Sequence, residues 1–492
     1  MVVLGGQLQV LLEGRRQGAA RLGRQAQRLW LGLVERWRAA LQDAARGGRG
    51  GPVRVARAAG VLAAAFLALF LVLGHATVPG GQLPRDAGSP EGARLPFPGA
   101  CKALHRRVQN PRPLKRKAMR TYTVHRATPG PMQYVHMATI ERPGVLDGRL
   151  AVAWQASSGL EGIADQHLAV SFSEDAAGSA WGEARRIPLP QDGPLWAPVL
   201  HTDSRGRLWL FYAESNECRI TSTPPRYSPG GSVKAAVYGL GGQARWSKPR
   251  EIYGEEDGDG LPKVLANKLI VLSTGEWVLP VWSEKHGTCD GPETGEPSAG
   301  VLVSEDEGGT WARRGRIRGD EAGTWLIENT VAEQGDGDLL MFFRTSKGKI
   351  FQSVSHDKGF KWNRPHATSL PNPDAKVHML KLEDTALALA YNAHVRNDVK
   401  SKARTNLDVS ISLNDGRSWR KVAHLETRDE QGLRFHYPTM LQSGCTLYVA
   451  YSKFFHEEFA AKARWDLLRT AERDPKDRIP ELGIMVKAID LS

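Results

Sequence analysis

The chain has 492 residues, 41% of them apolar and 24% charged, which is an ordinary globular composition with material for a sizeable core. Its formal charge of +13 is uneven: residues 1–57 hold 11 arginines against Glu13, Glu35 and Asp43, a net of 11 − 3 = +8, leaving 13 − 8 = +5 for all the rest. With so mildly basic a body, no zinc-finger spacing and no RNA-recognition motif, nucleic acid is excluded as a partner.

Taken in chain order, residues 1–57 place Leu22, Ala26, Leu29, Leu33, Trp37, Leu41 and Ala44 at helical spacing among arginines. This arm reads as a basic amphipathic helix that lies on a membrane, and an organelle transit peptide is the competing reading. Residues 58–78 open on AAGVLAAAFLALFLVLG, an uncharged run from Ala58 to Gly74. It predicts a short transmembrane signal anchor, because no face of it is polar and a basic region this long does not precede a cleaved signal. Arginines before the span set the N-terminus cytoplasmic and all that follows lumenal (Golgi or another endomembrane) or extracellular, as in a single-pass type II protein. Residues 79–130, rich in Pro, Gly and basic residues, read as a stem. Cys101, Cys218, Cys289 and Cys445 are too few for a disulfide scaffold and lack metal-ligand spacing. Cys218 and Cys289 both fall in polar loop-like stretches, and an oxidising lumen permits a bridge between them. No metal or cofactor is expected.

Residues 131–492 contain a repeat. SEDEGGTW (Ser304 to Trp311), SHDKGFKW (Ser355 to Trp362) and SLNDGRSW (Ser412 to Trp419) each carry Ser, then Asp or Asn two later, Gly four later and Trp seven later. SEDAAGSAW, from Ser173 to Trp181, is a looser copy. Such a unit is a tight turn: the Asp or Asn caps backbone N–H groups, Gly takes the positive φ, and Trp packs the turn down. Strand-like runs precede each box, so each joins two antiparallel strands. The spacings, 355 − 304 = 51 and 412 − 355 = 57, divide residues 131 to 460 into six units, with room for one box-less blade between residues 173 and 304. Six apolar runs recur in step: GRLAVAWQ, GRLWLFYAE, GEWVLPVW, GDLLMFFR, TALALAYN and CTLYVAYS. They predict the inner strands of an all-β six-bladed β-propeller, with LGIMVKAID closing the ring across the chain ends. A β-sandwich is the alternative, but phased copies of one strand type favour radial repetition.

The boxes resemble the Asp boxes of the sialidase (neuraminidase) superfamily and its BNR-repeat relatives. Asp boxes report architecture; chemistry belongs to the inner residues. In that family three arginines hold the substrate carboxylate, a tyrosine assisted by a glutamate attacks the anomeric carbon, and an aspartate protonates the leaving oxygen. A neutral nucleophile avoids repulsion from an anionic sugar. IENTVAEQGDGDLLMFFR resembles the segment with the glutamate and second arginine, which implies Glu328 and Arg344. ARTNLDVSIS implies Arg404 as the third arginine, and RFHYPTM implies Tyr437 as the nucleophile. The first blade departs from the sialidase pattern: His136 stands where the first arginine belongs, with Arg142 a few residues on. His-x-x-Thr-Ile followed by GLEGIADQ is closer to the BNR-repeat relatives, and that match implies Asp165 as acid/base with Glu161 in reserve. The expected site is thus Tyr437, Glu328 and Asp165 for catalysis, with Arg344, Arg404, His136 and Glu161 binding substrate.

Trp154, Trp282 and Trp325 are candidates for a sugar platform, or for core between blades. His378, His394 and His436 fit no metal spacing. The resemblance implies an exo-glycosidase that cleaves a terminal acidic sugar with retention. A lectin-like glycan-binding propeller or an interaction scaffold without catalysis is the alternative. Oligomeric state is not indicated.

Overall fold

The computed structural model describes residues 118–215, 218–220, 225–288, 291–383, 385–394, 404–426, 433–455 and 482–491. The N-terminal arm, the proposed anchor, the stem up to residue 117 and the Cys218–Cys289 pairing lie outside what is described. Among the described residues no helix is long and apolar enough to cross a membrane. Cys445 is disulfide-bonded.

The chain opens with β1 (Met119–Arg126). Blade one is β2 (Tyr134–Glu141), β3 (Ala151–Ser157), β4 (His167–Phe172) and β5 (Arg185–Arg186). Blade two is β6 (Leu195–Thr202) and β7 (Leu208–Glu214), an excursion formed by β8 (Cys218–Ile220) and β9 (Arg226–Tyr227), then β10 (Ser232–Tyr238) and β11 (Arg250–Tyr253). Blade three holds β12 (Lys263–Val264), β13 (Ile270–Val271) and β14 (Trp277–Ser283). A second excursion, β15 (His286–Thr288) and β16 (Gly291–Thr294), precedes its last strands, β17 (Ser298–Ser304) and β18 (Ala312–Arg318). Blade four is β19 (Ile327–Glu333), β20 (Leu339–Arg344), β21 (Lys349–Ser355) and β22 (His366–Pro371). Blade five is β23 (His378–Lys381), β24 (Leu387–Asn392), β25 (Leu407–Ser412) and β26 (Arg420–Glu426). Blade six is β27 (Leu433–Ser443), β28 (Thr446–Phe455) and β29 (Gly483–Asp490), completed by β1.

Every blade is an antiparallel meander, and the first strands contact one another around the ring, from β27 to β2 and from β2 to β6. The C-terminal strand closes that ring as expected: β29 pairs with β28 on one side and with β1 on the other. This puts β1, inside the segment read as stem, into blade six as its outermost strand. Hydrogen-bonding the N-terminal strand beside the C-terminal one removes a free sheet edge and ties the two ends of the chain together.

One assignment changes. The six apolar runs form the second strands (β3, β7, β14, β20, β24 and β28), not the innermost ones. A second strand has a partner on each edge and a neighbouring blade against each face, so β3, β7 and β14 are buried at all seven positions. The first strand borders the central channel and carries the polar groups His136, Glu328 and His436. Apolar clusters fill the space between blades. Leu146, Leu168, Leu200, Leu210 and Tyr212 bind blade one to blade two, and Phe342, Ile350, Met379 and Leu389 bind blade four to blade five. Across the channel, the Lys268 Nζ donates to Glu141 Oε2 at 2.7 Å and to the Ile140 carbonyl at 2.9 Å, joining blade three to blade one.

The boxes sit on the outer rim, between third and fourth strands. In the copy at Ser304, the Gly308 N–H donates to Ser304 Oγ at 2.8 Å and the Thr310 N–H to Asp306 Oδ1 at 2.7 Å, while the Trp311 indole donates to the Gly308 carbonyl at 3.2 Å. The copies at Ser355 and Ser412 repeat these bonds, with Asn414 replacing Asp. Gly308, Gly359 and Gly416 have φ of 86°, 91° and 83°, the left-handed region in which a Cβ is penalised.

Candidate active site

Four of the first strands share a backbone irregularity at the same level. Pairing with the second strand slips by one residue between His136 and Thr139, Trp196 and Val199, Ile327 and Thr330, and His436 and Thr439. Inside each bulge a non-glycine residue takes positive φ: Met137 at 59°, Ala197 at 49°, Glu328 at 50° and Tyr437 at 54°. Blade five has Asp374, φ 62°, just upstream of β23. All five residues line one central cavity of about 520 Å³. Left-handed backbone costs a non-glycine residue on the order of 1 kcal/mol, and glycine would remove the cost but also the side chain. The bulge re-aims the side chain out of the ladder and into the channel mouth.

Arg344, at the end of β20, organises the floor. Its Nε donates to Asp374 Oδ1 at 2.8 Å, and its Nη1 donates both to Glu328 Oε1 and to Tyr437 Oη at 2.8 Å. The phenol and the carboxylate thus converge on one nitrogen. The second Glu328 oxygen, Oε2, is buried and has no hydrogen-bond partner. Burial pushes the Tyr437 phenol above its ordinary pKa, with Glu328 adding to the rise and Arg344 and Arg404 opposing it. At rest Tyr437 is therefore a neutral phenol.

His136 backs this group. Its ring packs edge-on to Tyr437 with centroids 4.2 Å apart, and it is 4% exposed. Burial, then Arg404, Arg344 and Lys376, hold its pKa well below the ordinary value, so the imidazole is neutral. It is not among the residues lining the cavity. A buried neutral ring beside the phenol does not replace a guanidinium. Arg142 does not replace it either: it donates to the Ala176 carbonyl at 2.9 Å and lies against the Tyr448 ring.

The two acid/base candidates separate. Asp165 is exposed, accepts from the Ser158 N–H at 3.1 Å and does not line the cavity. Glu161 does line it, held by Gln155 Nε2 at 2.7 Å and by the Tyr134 hydroxyl. Withdrawal from water is the largest influence on Glu161 and raises its pKa, against the lowering effects of Tyr134, Arg404 and Arg226. The loop GLEGIADQ places one carboxylate inward and the other outward, a difference that spacing does not reveal.

Arg404 stands over the Tyr437 ring, its guanidinium carbon 5.3 Å from the centroid. Trp282 and Trp325 line the cavity, and Trp325 is 48% exposed. Trp154 is fully buried and stacks on His125, so it belongs to the core and not to a sugar platform. A second cavity, about 720 Å³, opens beside the first between blades three and four and shares Glu284, Trp325 and Ile327 with it.

A family model described as a BNR repeat-like domain matches residues 148–449. The chain belongs to this family. No curated protein matches it by sequence. Among solved structures, a protein of unknown function from Dyadobacter fermentans superposes with a TM-score of 0.55 at 16% identity, covering 76% of this chain and 100% of that one. A Hadza microbial sialidase gives 0.53 at 17%, covering 75% and 68%. The Trypanosoma rangeli sialidase in complex with the inhibitor DANA gives 0.52 at 16%, covering 72% of this chain and 54% of that one. At such identities the likeness to the solved structures establishes the shared fold.

Within this BNR repeat-like propeller, several residues lining the pocket belong to no recognisable motif. Asp374 lies in LPNPDAK, which reads as a turn, and Arg226 lies in PPRYSPGG, which reads as a loop. Gln155 and Trp196 sit among apolar strand residues. For Arg226 the available signal was a single arginine bracketed by Pro and Gly between two strands of one blade.

Proposed function

We propose that the central pocket hydrolyses the glycosidic bond of a terminal acidic sugar, with retention of configuration and Tyr437 as nucleophile. The observation that carries this reading is the convergence of Tyr437 Oη and Glu328 on Arg344 Nη1, with both side chains held at positive φ in one pocket. In the first step Tyr437 Oη attacks the anomeric carbon and passes its proton to Glu328, whose Oε2 is the unoccupied acceptor. Protonated Glu161 gives its proton to the leaving oxygen as the glycosidic bond breaks. In the second step Glu161, now a carboxylate, takes a proton from water, which attacks the anomeric carbon. The bond to Tyr437 breaks, and Glu328 returns the proton to the phenol oxygen. Arg404 faces the acidic group of the sugar, Trp325 offers a face to its ring, and the adjoining cavity receives the leaving group. The sialidases among the structural neighbours support this reaction class.

The test is a panel of fluorogenic glycosides of sialic acid and other 2-keto acidic sugars, with Tyr437→Phe alongside the parent. Turnover by the parent and its loss in the variant is the expected result. Glycan binding with no turnover would leave a lectin-like propeller instead, and an active Tyr437→Phe would remove the nucleophile. The uncharged run after the arginine-rich arm supports a membrane anchor with the propeller on the lumenal or extracellular side. Protease protection of the propeller in sealed microsomes tests that orientation, and digestion without detergent would overturn it.

A further inference from the structure

Resting on the hydrolytic reading above, the geometry points to Arg226 as the partner of Arg404 in holding the acidic group of the substrate. We propose that this pair, drawn from blade two and blade five, does the work that a first-blade arginine does not do here. Arg344 is then a positioning residue for Tyr437 and Glu328.

Three observations carry this. Arg344 is already committed: two of its three nitrogens serve Asp374, Glu328 and Tyr437, so a substrate carboxylate would be the third acid on one guanidinium. Arg226 and Arg404 are the other two arginines lining the cavity, and neither forms a salt bridge to a described residue. Arg404 has a buried Nε with no hydrogen-bond partner, and its one side-chain hydrogen bond to a described residue is between Nη1 and His436 Nδ1 at 3.4 Å. Arg226 donates only its Nε, to the Glu161 carbonyl at 2.9 Å, and its terminal nitrogens bond no described residue. Buried or half-buried guanidinium groups are ordinarily paired, so two under-used ones in one pocket mark a place for an anion.

The mounting of Arg226 supports a built site. Its strand, β9, is strapped to the Glu161 loop twice, by the Arg226 Nε bond and by the Tyr227 N–H donating to the Gly162 carbonyl at 2.8 Å. Tyr227 and Gly162 meet in close packing, with Trp196 against Gly162. Using Nε for the strap leaves the forked end of the guanidinium for a ligand, the end that matches a carboxylate in bidentate fashion. Arg226 and Arg404 both act electrostatically on the Glu161 carboxyl, which sets them around the same corner of the pocket. An anion seated there neutralises both charges and lies beside the acid that must protonate the leaving oxygen.

The experiment compares parent, Arg226→Gln and Arg226→Lys on a fluorogenic sialoside. It also measures, by calorimetry, binding of free sialic acid and of its carboxylate methyl ester. Arg226→Gln is expected to raise KM and weaken binding of the acid about 10- to 100-fold, while binding of the methyl ester changes less than about threefold. Arg226→Lys recovers part of the loss, because charge returns without the fork. Equal weakening of acid and ester, or no change in either, would overturn the proposal. An inactive parent that binds the acid in an Arg226-dependent way would refute hydrolysis and leave the anion pair standing. An active parent indifferent to Arg226→Gln would do the reverse.

Discussion

Lys376 is a buried amine that pairs with no carboxylate among the described residues. Its side chain is 1% exposed, and Nζ donates to the Pro438 carbonyl at 2.6 Å and to Thr439 Oγ1 at 3.1 Å, directly beneath the Tyr437 bulge. Burial lowers its pKa from 10.5 to about 7, with Glu328 opposing the fall. Between those values the unfolded chain holds the proton and the folded protein does not, so stability rises with pH across the window. The full difference is 10.5 − 7 = 3.5 units, about 5 kcal/mol at about 1.36 kcal/mol per unit. Between pH 7 and pH 9 the expected gain is about 2 kcal/mol, because the folded lysine is still half protonated at pH 7. Urea unfolding of the parent and Lys376→Met from pH 6 to pH 9 isolates it, because groups common to both proteins cancel. Loss of the two hydrogen bonds adds an offset of about 1–3 kcal/mol that does not vary with pH. The stability difference, parent minus variant, should be level below pH 7 and climb above it. A flat difference, or one that falls with pH, would refute the assignment of a desolvated lysine under Tyr437.

Two further outcomes follow from the same geometry. Glu161→Gln removes the proposed proton donor and should lower kcat by about 10²–10⁴ on a sugar linked to an alkyl alcohol, and far less on an activated aryl glycoside. A leaving-group series measures this, and an equal fall across the series would take the acid role from Glu161. Glu141→Gln strands the Lys268 ammonium, which is 8% exposed, between blades one and three. It should cost about 3–5 kcal/mol in urea unfolding, most of it recovered by pairing Glu141→Gln with Lys268→Met, and an unchanged midpoint would contradict the cross-channel tie.

The boxes were legible because every bond they make is local. Ser304, Asp306, Gly308 and Trp311 satisfy one another within eight residues, so residue types at fixed offsets carry the turn. The second strands were legible as apolar runs because they are buried on both faces, but which strand lies innermost is not written in hydrophobicity. Tyr437, Glu328, Arg344 and Arg404 were found through their flanking motifs, and the structure brings the four together. Asp165 and Glu161 lie four residues apart in one loop, and only its folded path decides that Glu161 enters the pocket. Asp374 and Arg226 were missed because turn-rich segments look alike in sequence whether they face solvent or a cavity.

By itself the sequence determined the six-fold repetition, the closure of the ring by the C-terminal strand and the chemical types available to the pocket, since these rest on local turns and on period. The tertiary structure alone decided which side chains face one another. Blades four and six had to present the same bulge before Glu328 and Tyr437 could meet on Arg344, and positive φ at a glutamate or a tyrosine has no signature in residue type. It also decided that His136 would be buried and neutral, and that the pocket's guanidinium groups without a described salt bridge would come from blades two and five. Those outcomes depend on contacts across the channel between residues hundreds of positions apart, which no local pattern encodes.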